Sequence, residues 1–137
     1  KNGKIKIKEI AKALKMTNTP IFDRIKRLEK EGYIEGYTAR LSKEKLGFHL
    51  VAFCSVTLEK HNKEYLNQFL EDIQEISEVI ECYHIAGMFD YLLKVYAKDM
   101  VDYQHFITQK LAALPNIGRV QSSFVMTEIK NNQILPL

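Results

Sequence analysis

The chain has 137 residues, of which 46% are apolar and 27% charged, a balance that fits a folded protein and excludes a disordered one. No apolar run approaches the roughly 18 residues of a membrane span, and the Lys-rich start leads into no apolar stretch, so an intracellular, cytoplasmic protein without membrane partners is expected. The net charge of +3 conceals a division: residues 1–47 carry 13 Lys and Arg against 6 Asp and Glu, a balance of +7, while residues 48–137 carry 7 against 11, a balance of −4. Two modules with different partners are implied, the basic one suited to a polyanion.

In residues 5–16, Ile7, Ile10, Ala11 and Leu14 form the i, i+3, i+4, i+7 stripe of an amphipathic helix. A turn starting at Lys15 and running to Thr17 or Thr19 leads into a second helix. There Ile21, Ile25 and Leu28 lie within roughly 60° of one another at about 100° per residue, with Lys26, Arg27, Lys30 and Asp23 on the opposite side. Pro20 marks the start, because a first-turn residue has no helical partner for the N–H that proline lacks. Thr19 and Thr17 are the two candidate N-caps, and Gly32 suits the C-terminal cap.

Residues 33–41, YIEGYTARL, hold β-prone side chains around Gly36 and predict a short hairpin or an extended wing. Two helices, the second basic, followed by a hairpin, read as a winged helix-turn-helix whose second helix enters the major groove of double-stranded DNA. The competing reading is a plain helical hairpin with a solvated basic face. Two helices of this size cannot bury Ile7, Ile10 and Leu14 against Ile21 and Leu28 unaided, so a further helix upstream of Lys1 is expected.

Beyond Leu46-Gly47 the pattern changes. Strands are expected within residues 47–59, 77–87, 88–97 and 117–129, with helices over 63–76 and from Asp99 to Leu114, Asp99 capping the latter. The order βαββαβ predicts a ferredoxin-like α+β domain, an antiparallel sheet with two helices on one face. Phe48, Leu50, Ala52, Cys54 and the aromatic-rich positions of the other strands supply more apolar residues than two helices would hide, so a second copy of the chain is the simplest cover for the sheet's open side. Cys54 and Cys82 lack metal-ligand spacing and read as packing residues. No nucleophile sits beside a base, no phosphate loop is present, and His49, His61, His84 and His105 are scattered, so no catalytic residue, metal or cofactor is expected.

With these elements placed, the chain resembles the Lrp/AsnC, or feast/famine, transcriptional regulators. The resemblance rests on T-x-T-P-x-x-x-R-I-x-R-L-E-x-x-G-Y-I-x-G-Y at 17–37, E-C-Y-H-x-x-G-x-F-D-Y at 81–91, L-P-x-I at 114–117 and V-M-T-E-I-K at 125–130. It implies a winged helix-turn-helix DNA-binding domain over residues 1–41, a hinge over 42–47, and a RAM effector-binding and oligomerisation domain over 48–137. Dimers that assemble further, to an octamer, are implied as well.

By the same resemblance the DNA-facing residues are Thr17, Asn18, Thr19, Arg24, Lys26, Arg27 and Lys30, Arg24 serving as support as much as contact. The effector residues are Gly87, Met88, Phe89, Asp90, Tyr91 and Ser122, with Asp90 placed to receive an ammonium. Many family members have a hydroxyl residue and Gly-Asp where Ala86-Gly87-Met88 stands here, and another hydroxyl in place of Val120. That loss of polarity favours a hydrophobic or sulfur-containing amino acid as effector, or none. A sensor or assembly module without DNA binding is the alternative function.

Overall fold

A computed structural model describes residues 21–132, 135 and 136. The expected helix over residues 5–16 and the turn with Thr17, Asn18, Thr19 and Pro20 lie outside the described residues. Two compact units are formed, one reaching to Leu41 and taking in the segment from Ile129, the other spanning Ser42–Glu128.

In the first unit, α1 (Ile21–Lys30) buries Leu28, half-buries Ile21, Arg24 and Ile25, and leaves Lys26, Arg27 and Lys30 exposed. Gly32 ends it at φ +84, its N–H donating to the Glu29 carbonyl at 3.2 Å while Ile34 N–H returns to Leu28 O at 3.1 Å. Glycine enters this left-handed region without the Cβ clash that other residues meet. The expected hairpin does not form: among the described residues, 34–41 contain no strand. The few residues on either side of Gly36 leave Tyr37 and Leu41 exposed, and a two-stranded hairpin that buries so little apolar surface is marginal in water.

In the second unit, β1 (Leu50–Leu58), α2 (Lys63–Gln74), β2 (Val79–His84), β3 (Tyr91–Ala97), α3 (Met100–His105) with its π-helical continuation Phe106–Leu111, and β4 (Ile117–Phe124) follow in the expected order. The sheet runs β2-β3-β1-β4 with every pair antiparallel. Register decides which side chains meet the helices. Ala52, Cys54, Val56 and Leu58 share one face with Tyr91, Leu93, Val95 and Ala97, and these are buried with Phe69 and Ile73 of α2 and Tyr103, Phe106 and Leu111 of α3. Each large apolar side chain in this cluster contributes about 1.5–3 kcal/mol through burial.

The register also separates the two faces of the sheet. Ala52 and Cys54 lie under the helices, and the opposite face carries Val51, Phe53, Ser55, Leu92, Lys94 and Tyr96, because successive strand residues point to opposite sides. Cys54 and Cys82 both pair with Leu93, from its two sides. Two strand spacings of about 4.8 Å put them roughly 10 Å apart, beyond the reach of a disulfide, and both are free thiols whose pKa is raised by burial.

Asp99 caps α3 as expected, its carboxylate accepting from Asp102 N–H at 2.8 Å. The helix then widens into π winding over Phe106–Leu111, with Ala112 N–H donating to Ile107 O at 2.9 Å. In a continuous α-helix Phe106 and Leu111 would sit about 140° apart; one wide turn of i→i+5 bonds sets both into the core, where each is fully buried.

Candidate functional site

The basic helix is the first candidate. Lys26, Arg27 and Lys30 of α1 are exposed, while Leu28 is buried. Arg27 pairs with Glu31 at 3.3 Å, both side chains more than half exposed, and such an i,i+4 pair contributes only about 0.3–0.5 kcal/mol. Arg27 can therefore exchange Glu31 for a phosphate at little cost. Arg24 lies half-buried on the inner side with Ile21, Ile25 and Leu28, the position of a supporting residue. Asp23 in the first turn complements the helix dipole.

The second candidate is the turn from Ile85 to Asp90 between β2 and β3, closed by Ile85 N–H to Asp90 O at 2.9 Å. Gly87 has φ +152, and no atom lies within 4 Å of where a Cβ would stand, so backbone is exposed to an approaching ligand. Met88 is 79% exposed. Asp90 is already engaged: its Oδ2 accepts from Leu58 N–H at 2.8 Å and lies 3.0 Å from His61 Nε2. Those two contacts, the Leu58 N–H first, hold its carboxyl below the ordinary carboxylate range. Through Oδ2 the carboxylate thus fastens the turn to the end of β1.

Two of the expected effector residues point elsewhere. Tyr91 is buried, its ring against Phe69 at 4.7 Å and stacked on His84 at 4.9 Å. Ser122 pairs with Cys54 across β4 and β1 and shares a 2.5 Å hydrogen bond with the Tyr103 hydroxyl, at a groove of about 650 Å³ that Met100, Val101, Ile107 and Phe124 also line. Gly87, Met88, Phe89 and Asp90 remain together, joined by two residues that sequence reasoning missed. These are His61 and Arg119, whose guanidinium lies 5.0 Å from the Phe89 ring centre and donates to Met88 O at 3.4 Å. Arg119 is the one arginine of residues 42–128, a signal that was available in the sequence. Among the described residues no group of His, Cys, Asp and Glu could hold a metal ion.

Asp90→Ala removes an acceptor and leaves the Leu58 N–H unpaired, so a loss of about 1–3 kcal/mol in urea unfolding is expected. Because the folded carboxyl titrates below its unfolded value, its stabilisation is complete above the ordinary carboxylate pKa of about 3.9 and is lost as pH falls through the lower folded value. Acid unfolding of wild type and variant should therefore converge at low pH and separate above it. Equal stability at neutral pH would contradict this account of the turn.

Residues 51–135 match the family described as the Lrp/AsnC ligand binding domain, and residues 1–35 match a winged helix-turn-helix DNA-binding family. The chain is 35% identical over 136 residues to the Bkd operon transcriptional regulator of Pseudomonas aeruginosa, covering 99% of this chain and 89% of that protein. It is 35% identical over 135 residues to the leucine-responsive regulatory protein of Escherichia coli, covering 98% and 82%. Among solved structures, a transcriptional regulator of Neisseria meningitidis in complex with L-methionine superposes with a TM-score of 0.84 at 32% identity, over 98% of this chain and 87% of that one.

Proposed function

The chain belongs to the Lrp/AsnC family of DNA-binding transcriptional regulators, and from that premise we propose how its two units divide the work. The observation that carries the reading is the exposure of Lys26, Arg27 and Lys30 on α1 while its Leu28 is buried. Lys26, Arg27 and Lys30 hold phosphates of duplex DNA, Arg24 supports the helix, and Thr17, Asn18 and Thr19 read base edges in the major groove.

In the second unit the turn from Gly87 to Asp90 receives an amino acid, with a hydrophobic or sulfur-containing side chain favoured. Met88 and Val120 leave that region without an added acid or hydroxyl, and the Neisseria relative is a complex with L-methionine. The protein acts in the cytoplasm as a homodimer that assembles further, to an octamer, and carries no enzymatic activity. Phe53, Leu92 and Tyr96 on the uncovered sheet face give a second copy apolar surface to bury.

Fluorescence anisotropy of the full-length protein on duplex DNA from upstream of its own coding sequence tests the reading. Between about 50 and 200 mM salt the affinity should fall steeply, as counterion release requires, and L-methionine should change it. Absent or salt-independent binding would favour the sensor without DNA binding. Calorimetry showing tightest binding to aspartate or asparagine would refute the effector class.

A further inference from the structure

Arg119 is held where it is by backbone, before any ligand is considered. Its N–H donates to Thr57 Oγ1 at 2.6 Å, beside the register shift of β1 between Val56 and Leu58. The neighbouring Gly118 permits that approach, since a Cβ there would stand 2.7 Å from Thr57 Oγ1 and 3.2 Å from the Thr57 carbonyl. Asn116, in the left-handed region at φ 76, clamps Lys60 with two side-chain hydrogen bonds of 2.6 and 2.8 Å. The start of β4 is thus fixed to the end of β1, and the Arg119 side chain reaches from there to the turn.

Its surroundings are those of a cation awaiting an anion. Among the described residues no carboxylate lies within ion-pair distance of Arg119, as is also true of Lys45, Lys60, Lys63 and Lys98, whereas Lys43, Lys94 and Lys110 each pair with a glutamate. The guanidinium rests on Phe89 and spends one donor on a long 3.4 Å contact to Met88 O, leaving most of its five N–H groups for another acceptor. A planar fork held on an aromatic ring suits bidentate recognition of a carboxylate. Beside it, the backbone at Gly87 is open and Asp90 Oδ2 is engaged by Leu58 and His61.

We propose that Arg119 receives the α-carboxylate of the amino-acid effector, with Phe89 orienting its guanidinium and the Met88 carbonyl released to accept from the ligand's ammonium. The proposal rests on the reading of the turn as the effector site. It places the charge that meets the ligand's carboxylate on β4, while Asp90 Oδ2 holds the turn to β1.

Calorimetry on the full-length protein with L-methionine and with L-methioninamide, which lacks the carboxylate, tests it. Arg119→Gln should weaken L-methionine roughly 10- to 100-fold, the range for a hydrogen bond to a charged group, and leave the weaker binding of the amide unchanged. Arg119→Lys should fall between, keeping the charge without the fork. Matching melting temperatures exclude a folding defect. If Arg119→Gln binds L-methionine as wild type does while Gly87→Val abolishes binding, the turn is the site and the role of Arg119 is overturned. Equal wild-type affinity for L-methionine and its amide also overturns it. Wild-type protein that binds none of the twenty amino acids overturns the effector reading, and the Arg119 assignment with it.

Discussion

Phe106→Ala should cost about 3–5 kcal/mol, the range for deleting a fully buried phenylalanine. The ring is 0% exposed, packs on Tyr103 at 5.8 Å, and sits where α3 passes into its π segment, so backbone as well as side chains must relax around the cavity. At a urea slope of about 2 kcal/mol per molar, the unfolding midpoint should drop by roughly 2 M. That is a large share of a total stability of about 5–15 kcal/mol. Val101→Ala, on the exposed side of α3 at 76% exposure, should move the midpoint by little. Similar shifts for the two variants would contradict the packing described for α3.

The same helix shows where sequence reasoning ends. Its cap was legible because Asp99 and Asp102 act locally, and its apolar positions were legible because burial leaves a period. The π turn was not, because the pattern Tyr103, Phe106, Ile107, Leu111 fits an α stripe loosely, and only contact with the sheet decides that Phe106 and Leu111 point the same way. The strands follow the same rule. Alternation marked them, but it could not say that Ala52 and Cys54 face the helices until pairing with Val95 and Leu93 fixed the side.

At the turn, neighbours in sequence are not all neighbours in space. Tyr91 follows Asp90 yet points into the core, while His61 and Arg119, 29 residues away on either side of Asp90, meet the turn through cross-strand register. Hydroxyl-bearing Ser122 was legible as a residue type, but its partner Tyr103 was not. Of the two forms expected for residues 33–41, the hairpin is absent for a different reason: β propensity around Gly36 is local, and a strand also needs a partner and an apolar face to bury.

The basic face of α1 allows the sharpest functional expectation. Replacing Lys26, Arg27 and Lys30 together by glutamine removes three phosphate contacts, so the plot of log affinity against log salt should flatten by nearly three units. At about 0.15 M salt the affinity for duplex DNA should fall roughly 100-fold, since each released counterion accounts for several-fold at that concentration. All three side chains are exposed, and the ion pair of Arg27 with Glu31 is of the weak surface kind, so the melting temperature should hardly move. Arg24→Ala offers the contrast: half-buried beside Leu28, it should lower stability and affinity together. Preference among DNA sequences should survive the triple replacement, because phosphate contacts position the helix without reading bases. A triple variant that kept the wild-type salt slope would place the DNA on another surface of the protein.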